Sequence, residues 1–247
     1  MRVGFIGNTA LTLKALESVL ECGHDIRYVF GLSPTSLAQK VNACDMVPIC
    51  NQHNIEYINN EDWAQLLKHE VDLIIEFGDS RLVPKEVLTC ATVLGNHGAI
   101  LPYVQGGASL VYGRILNTGR WGVSLMELDE TLDSGKIVGT QTIRYNPAIT
   151  MEDFVTLCDD ATVTCLERYL AGEYEPIDNR TWDIRVKKGT DSEIAITTLR
   201  FALKNNYVIY MPSRCPQDGA VNKEWGADFK RWFKQAMAFP YPTWTEE

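Results

Sequence analysis

The residues best suited to chemistry lie in the turn 95–102 and in the acidic loop 127–135. His97 follows an apolar strand pattern and is flanked by glycines, and open α/β sheets bind ligands at the carboxyl ends of their strands. An imidazole there could transfer protons or stabilise an oxyanion. Asp133, in an Asp-Ser-Gly turn, could hold one tautomer of that imidazole if the fold brings the two together. An ordinary acidic hairpin is the alternative interpretation of this loop.

Other residues of the usual chemical types give weaker signals. His24, His53 and His69 have no carboxylate or cysteine at metal-ligand spacing, and the seven cysteines form no C-x-x-C pair. We therefore expect neither a disulfide framework nor a metal site. The turn 4–8 lacks the spacing G-x-G-x-x-G, so it is interpreted as a tight strand-to-helix turn rather than a dinucleotide site.

The elements that would position these residues follow an α/β pattern. We predict strands at 2–6, 26–30, 56–58, 71–77, 92–94, 122–128 and 136–144, and helices at 11–22, 36–42, 63–69, 84–88, 108–117 and 150–170. Beyond residue 172 we expect short strands, an edge strand at 207–211, a helix at 227–237 and an irregular tail at 239–244. The pattern predicts a Rossmann-like, mostly parallel sheet with helices on both faces (1–180), followed by a C-terminal extension (181–247).

Composition and charge exclude several classes of protein. The net charge is −9 and the densest basic stretch, Arg185–Lys188, is short, which argues against nucleic acid as a partner. No apolar run is long enough to cross a bilayer, and the N-terminus is typical of a strand rather than a signal peptide. We therefore expect a cytoplasmic protein with no membrane partner. The aromatic, Pro-rich tail and the strand after residue 200 suggest a homodimer contact in the C-terminal region.

Five segments together resemble the folate-dependent formyltransferase family. The block Asn96–Pro102, followed by Leu132–Ile137, is similar to the family's signature N-x-H-x-S-L-L-P…L-D-x-G. Three further segments are similar to the family's opening, to the segment before the signature, and to its C-terminal helix and exit: 1–24, 77–88 and 229–242. The match covers about residues 1–170 well and the remainder loosely.

This resemblance implies a Rossmann-like enzyme that takes a formyl group from formyltetrahydrofolate and needs no metal. The family places an Asn, a His and an Asp at the reacting centre, and His97 and Asp133 match two of them. Gly95 stands where the family has Asn, and Asn96 comes one residue later. Two other departures are Ala99 in place of the common Ser and Gln105 in place of an Arg.

The resemblance also assigns roles to residues. An amine would attack the formyl carbon, while His97, with Asn96, stabilises the formyl oxygen and Asp133 orients His97 and helps to remove the amine proton. By resemblance the folate would be held by Arg81, Leu82, Val83, Leu128 and Asp129. The acceptor would be held by Gly7, Asn8, Gln105 and Gly106.

Three branches of the family differ in the amine that they formylate. The methionyl-tRNA branch normally adds a larger, basic C-terminal domain, for which this chain is too short and too acidic. The glycinamide ribonucleotide branch has a Gly-Ser-Asn loop where this chain has Gly7–Leu11. By exclusion we expect the branch whose acceptor is a nucleotide-linked amino-deoxy sugar. Aromatic side chains that could stack on its base are Trp182, Tyr207, Tyr210, Tyr241 and Trp244.

Other functions stay open at this point. A deformylase, a formyltransferase acting on another small amine, or an enzyme with another acyl carrier would fit the Gly95 departure. A non-catalytic folate- or nucleotide-binding relative would fit the loss of both the Asn and the Arg.

Overall fold

The computed structural model describes residues 1–40, 42–59, 62–79, 81–131, 133–238, 240 and 244–246. Its first half contains β1 (Arg2–Ile6), α1 (Ala10–Glu21), β2 (Asp25–Phe30), α2 (Pro34–Gln39), α3 (Val47–His53), β3 (Glu56–Ile58), a 3₁₀ helix (Trp63–Lys68), β4 (Leu73–Glu76), α4 (Lys85–Leu88), β5 (Thr92–His97), β6 (Val104–Gly106) and α5 (Ser109–Leu116). The second half contains β7 (Arg120–Glu127), β8 (Ile137–Arg144), α6 (Met151–Leu170), β9 (Ile184–Arg185), α7 (Ser192–Lys204), β10 (Ile209–Met211), a 3₁₀ helix (Pro216–Gly219), β11 (Ala220–Val221), α8 (Ala227–Ala236) and β12 (Thr245–Glu246).

The main sheet has the strand order β3-β2-β1-β4-β5-β7-β8 within the described residues. The first five of these strands pair in parallel. Val3, Phe5 and Ile6 of β1 and Ile74 and Ile75 of β4 are fully buried, as expected for strands covered on both faces. The order reverses between β1 and β4, a point at which such sheets commonly bind ligands. The predicted α/β fold with a mostly parallel sheet is confirmed.

The described chain divides into two compact units, each built from three segments. Unit 1 consists of Met1–Asn96, Leu125–Gly139 and Thr162–Ile177, and unit 2 of His97–Ser124, Thr140–Ala161 and Asp178–Glu247. Unit 1 has two apolar clusters, around Phe5 with Leu16 and around Phe30 with Ile74. Unit 2 has one, around Phe154 and Phe233. The predicted division at residue 180 stays a prediction; Asp178 begins the last segment of unit 2.

A second, three-stranded sheet in unit 2 has the order β6-β10-β9, and all its strands are parallel. The predicted edge strand at 207–211 is therefore wrong in its position, because β10 lies between two neighbours. β6 and β9 have only three and two residues, too short for a pattern that sequence could reveal. The predicted base-stacking residue Tyr241 lies outside the described residues.

Two helices were not predicted. In α7, Asp191 caps the first turn by accepting from Glu193 and Ile194 backbone N–H groups. Ala195, Leu199 and Ala202 then recur at helical spacing on its buried face. In α3 only Cys50 is buried, so that short helix has no clear periodicity. Within the part of the chain that is described, no helix is both long and apolar enough to cross a membrane.

Arg114 is a fully buried cation that fixes the interior of unit 2. Its guanidinium donates to the Asn117 side chain at 2.8 Å, to the Ile149 and Pro147 carbonyls at 2.7 and 3.1 Å, and to Gln235 Oε1 at 3.1 Å. One side chain thereby ties α5 to α8 and to the loop before α6. Its removal would leave several partly buried acceptors without this donor.

We predict that Arg114→Ala lowers the free energy of unfolding by about 2 kcal/mol or more, because it opens a cavity and removes the donor of several partly buried acceptors. The exposed Arg200→Ala in α7 is the matched control and should change it by less than about 0.5 kcal/mol. Urea denaturation followed by circular dichroism measures both. Equal losses in the two variants would contradict a structural role for the buried guanidinium.

Candidate active site

The imidazole of His97 has a fixed proton position. His97 ends β5, its side chain is buried, and Nε2 lies 2.8 Å from the carbonyl oxygen of Val104 in the same unit. A carbonyl oxygen can only accept, so Nε2 carries the proton and donates it. Nδ1 is therefore the ring nitrogen that could take part in acid–base chemistry. The residue types alone had indicated a chemical role for His97 without this detail.

The turn after His97 is held from β7. Trp121 Nε1 donates to the Gly98 carbonyl at 2.7 Å, and Ser124 Oγ donates to the Ala99 carbonyl at 2.8 Å. The Leu101 N–H donates to the same Ser124 hydroxyl at 2.8 Å. A Cβ at Gly98 would lie 2.8 Å from the Leu110 and Ser109 side chains, which explains the glycine. The loop that brings Val104 to His97 is thus packed and hydrogen bonded.

The backbone conformation at Gly95 and Asn96 differs from the prediction. A turn was expected at Gly95–His97, but β5 continues to His97, because Gly95 still lies in register with Glu76 of β4. Side chains alternate along a strand, so Asn96 points to the face opposite His97. A Cβ at Gly95 would lie 2.5 Å from Leu128 Cδ2 in the same unit. Leu128 fills the space that a side chain at position 95 would need.

Asp133 is buried and has a left-handed backbone with φ of +53°. Its loop is organised by Asp129 Oδ1, which accepts from the Thr131 N–H at 2.8 Å and the Ser134 hydroxyl at 2.6 Å. The neighbouring motif residue Leu132 lies outside the described residues. Asp133 and Asn96 belong to unit 1, whereas His97 belongs to unit 2.

The predicted acceptor residues Gly7 and Asn8 form the turn after β1. Gly7 has φ of +141°, and a Cβ there would overlap the Phe77 carbonyl. Asn8 is fully buried; Oδ1 accepts from the Leu32 N–H at 2.6 Å, and Nδ2 donates to Tyr57 Oη at 2.9 Å and to the Cys44 carbonyl at 3.3 Å. Through these bonds the Asn8 side chain holds the neighbouring loops at this edge of the sheet.

Gln105 and Gly106, the other two predicted acceptor residues, lie in β6. Gln105 is buried, and its Nε2 donates to the Arg180 carbonyl at 2.6 Å. Gly106 has φ of +94°, and a Cβ there would overlap the Met211 backbone of β10. Both residues therefore join β6 to other parts of unit 2.

The predicted folate residues Arg81, Leu82 and Val83 follow β4. The Arg81 guanidinium lies 4.7 Å from the centre of the Phe30 ring and forms an ion pair with Asp79 at 2.7 Å. Leu82 is 80% exposed, which is unusual for a large apolar side chain. Val83 packs against the cluster around Phe30. The loop thus presents an apolar group beside a stacked cation.

Three ionisable side chains in this region were not predicted. Glu76 ends β4, and its Oε1 accepts from the Asp79 N–H at 3.0 Å. Burial, followed by the negative charge of Asp79, raises the pKa of Glu76 to about 8. Lys40 Nζ donates to the Gly78 carbonyl at 2.6 Å, and burial lowers the pKa of Lys40. The signal in the sequence was a glutamate at the end of an otherwise apolar run.

Among the residues that the structure describes, no group of three or more His, Cys, Asp or Glu side chains could hold a metal ion.

The sequence of the chain is similar to those of known formyltransferases. A family described as Formyl transferase matches residues 25–168, which is more than half of the chain. The methionyl-tRNA formyltransferase of Acidobacterium capsulatum is 27% identical over 184 residues, which cover 70% of this chain and 59% of that protein. The chain spans 49% to 61% of the length of three such relatives.

Solved structures show the same fold at low sequence identity. A 4-N formyltransferase from Francisella tularensis has a TM-score of 0.69 and 14% identity, with 99% of this chain and 91% of that chain covered. An N-formyltransferase from Helicobacter canadensis, in complex with folinic acid and dTDP-3-aminofucose, has a TM-score of 0.67 and 14% identity, covering 98% and 83%.

We predict that Gly95→Ala lowers the free energy of unfolding by about 1–3 kcal/mol, because the new methyl group collides with Leu128. In a Leu128→Ala background the same change should cost less, since the space is then open. Urea denaturation of the two single variants and the double variant measures the coupling. Additive effects would show that Leu128 does not occupy this space.

We predict that stability falls as the pH rises from about 5 to about 8, because Glu76 binds its proton more tightly in the folded chain than in the unfolded chain. Glu76→Gln keeps an acceptor for the Asp79 N–H and cannot ionise. The variant should therefore lose less stability across this range, by on the order of 1 kcal/mol. Urea denaturation at pH 5, 6.5 and 8.5 measures the two slopes, and parallel slopes would refute the shifted Glu76.

Proposed function

The chain belongs to the formyl transferase family, and on that premise we propose that it transfers a formyl group from formyltetrahydrofolate to the amino group of a nucleotide-linked amino sugar. The observation that carries the proposal is the fixed imidazole of His97, whose Nε2–H is held by Val104. This bond leaves proton transfer and oxyanion stabilisation to Nδ1.

The reaction balances as one acyl transfer. The amine nitrogen forms a bond to the formyl carbon, the bond from that carbon to the folate nitrogen breaks, one proton leaves the amine, and one reaches the folate nitrogen. When protonated, Nδ1 of His97 donates to the formyl oxygen, on which negative charge develops. We propose that Asp133 assists removal of the amine proton.

We propose a smaller contribution to the reaction from Asn96 than from His97. The extended end of β5 points its side chain to the face opposite His97. Leu128 fills the space beside Gly95, where a side chain could share the face of His97. We therefore expect a smaller loss of activity from Asn96→Ala than from His97→Ala.

The loop after β4 and the Leu128–Asp129 segment support a folate as the donor. A tetrahydrofolate carries a pyrimidine ring and a benzoyl ring, which have flat apolar faces, and the pyrimidine has hydrogen-bonding edges. The exposed Leu82 offers it an apolar contact, and the partly exposed Arg81 guanidinium offers N–H donors. Leu128 and Asp129 lie in the loop that carries Asp133, so the same loop would serve the folate and the reacting amine.

One observation favours a sugar nucleotide over tRNA as the acceptor. The net charge of −9 disfavours a long contact with an RNA backbone. The similar solved structures include an enzyme in complex with dTDP-3-aminofucose and also a methionyl-tRNA formyltransferase. Gly7 and Asn8 in the turn after β1, and Gln105 and Gly106 in β6, stay part of the proposal as acceptor-binding residues. Sequence similarity to methionyl-tRNA formyltransferases makes charged tRNA the second candidate acceptor.

We predict that the chain, supplied with formyltetrahydrofolate, adds formyl to at least one of a panel of nucleotide-linked amino sugars, detected by mass spectrometry. His97→Ala should lower the rate by about 100-fold to 10,000-fold, and Asp133→Asn should also lower it, because both remove groups that act in proton transfer. The exposed Phe201→Ala in α7 is the control and should keep the full rate.

Each other outcome identifies a different function. Formylation of methionyl-tRNA but of no amino-sugar nucleotide would overturn the proposed acceptor. Folate binding by calorimetry, without turnover on any amine, would support a non-catalytic relative. Release of formate without an acceptor would support a deformylase.

A further inference from the structure

An aromatic and cationic surface lies on the small sheet of unit 2. Gln105 of β6, Tyr210 of β10 and Arg185 of β9 are in register, so they form one row across the sheet. Their strand neighbours Val104, Ile209 and Met211 are buried in the apolar cluster of unit 2. Because side chains alternate along strands, the row faces away from that core.

Arg185 is stacked between two aromatic rings in this surface. Its guanidinium carbon lies 5.3 Å from the centre of the Tyr210 ring and 5.7 Å from the centre of the Trp182 ring. Trp182 is 41% exposed, and Arg185 is also exposed. An exposed tryptophan beside a stacked guanidinium offers a planar apolar face next to a permanent positive charge.

The backbone beneath this surface is held by four hydrogen bonds. The Asp183 and Ile184 N–H groups both donate to the Val208 carbonyl, at 2.8 and 3.1 Å. Asp183 Oδ2 accepts from the Val208 N–H at 2.8 Å. The Val186 N–H donates to the Tyr210 carbonyl at 3.0 Å. Trp182 and Arg185 are therefore preorganised, which reduces the entropy lost when a ligand binds.

Positive charge is concentrated in the same segment. Residues 180–188 contain four cations, Arg180, Arg185, Lys187 and Lys188, and one carboxylate, Asp183, in a chain with a net charge of −9. That carboxylate already accepts from the Val208 backbone. The local charge thus opposes that of the whole chain and favours an anionic ligand.

The surface is connected to His97 within unit 2. Gln105 Nε2 donates to the Arg180 carbonyl and thereby holds the segment that leads to Trp182. The residue before Gln105 is Val104, whose carbonyl holds His97. A ligand seated on Trp182 and Arg185 would thus rest on the same short strand that fixes the imidazole.

We propose that Trp182, Arg185 and Tyr210 form a binding surface for the nucleoside diphosphate part of the acceptor, with the base stacked on the aromatic rings and the phosphates paired with Arg185. The proposal rests on the proposed function for the identity of the acceptor. The recognition itself rests on the chemistry of the surface, because stacking and charge pairing together select a planar anion.

The test measures binding without turnover. dTDP, UDP and ADP are titrated into the full chain by calorimetry in the absence of folate. Trp182→Ala and Arg185→Ala should each weaken binding of the preferred diphosphate by about tenfold or more, as expected for the loss of one stacking or phosphate contact. Trp182→Phe should retain most of the affinity, because it keeps an aromatic face.

Matched controls lie elsewhere in unit 2. Phe201→Ala removes another exposed aromatic side chain and Arg200→Ala another exposed arginine, and neither should change the affinity. Inorganic pyrophosphate and the free nucleoside should each bind more weakly than the diphosphate, because each supplies only one of the two contacts.

Three results would overturn the proposal. One is that the wild-type chain fails to bind any of the three diphosphates at millimolar concentration. Another is that Trp182→Ala and Arg185→Ala bind them as tightly as the wild type. The third is that the surface binds tRNA, with loss in both variants, while no free diphosphate binds.

The design separates this proposal from the proposed function. Diphosphate binding that requires Trp182 and Arg185, without any formyl product, would support the surface and refute the acyl transfer. Formyl transfer to an amino-sugar nucleotide that requires His97, but is unchanged in both surface variants, would support the acyl transfer and refute the binding surface.

Discussion

The setting of His97 depends on a hydrogen bond from its Nε2 to the carbonyl of Val104. This bond places the proton of the neutral imidazole on Nε2, so the acid–base chemistry that we propose falls to Nδ1. The bond can form only because the turn between the two residues is held by Trp121 and Ser124, and because Gly98 admits the side chains of α5. A buried histidine with two possible tautomers is thereby reduced to one.

Much of the fold could be predicted because its signals are local. β1 was predicted to the residue, since its apolar run is buried on both faces and ends at a glycine turn. The long helix after Thr150 follows from a cap: Thr150 Oγ1 accepts from the Asp153 N–H at 3.0 Å. His97 and Asp133 stood out by residue type and by family resemblance, and their joint role stays a proposal.

What sequence could not provide depends on partners distant along the chain. The strand continues through Gly95 to His97 because Glu76 of another strand pairs beside it. Gly95 is explained by Leu128, which no pattern near residue 95 could indicate. The raised pKa of Glu76 could not be predicted from the sequence either, because it arises from burial and from the charge of Asp79 in the folded chain. The central place of β10 depends on strands too short to leave a periodic pattern.

The pairing of β6 with β10 also constrains how the protein is made. β6 precedes α5, whereas β10 follows α7, so the parallel pair joins segments that leave the ribosome far apart in time. Until Ile209–Met211 is synthesised, the strand that carries Val104 has no partner in its sheet. The first segment, which contains β1 to β4, can already collapse before β6 has its partner strand. The setting of His97 is therefore completed late in biosynthesis, after much of the chain has emerged.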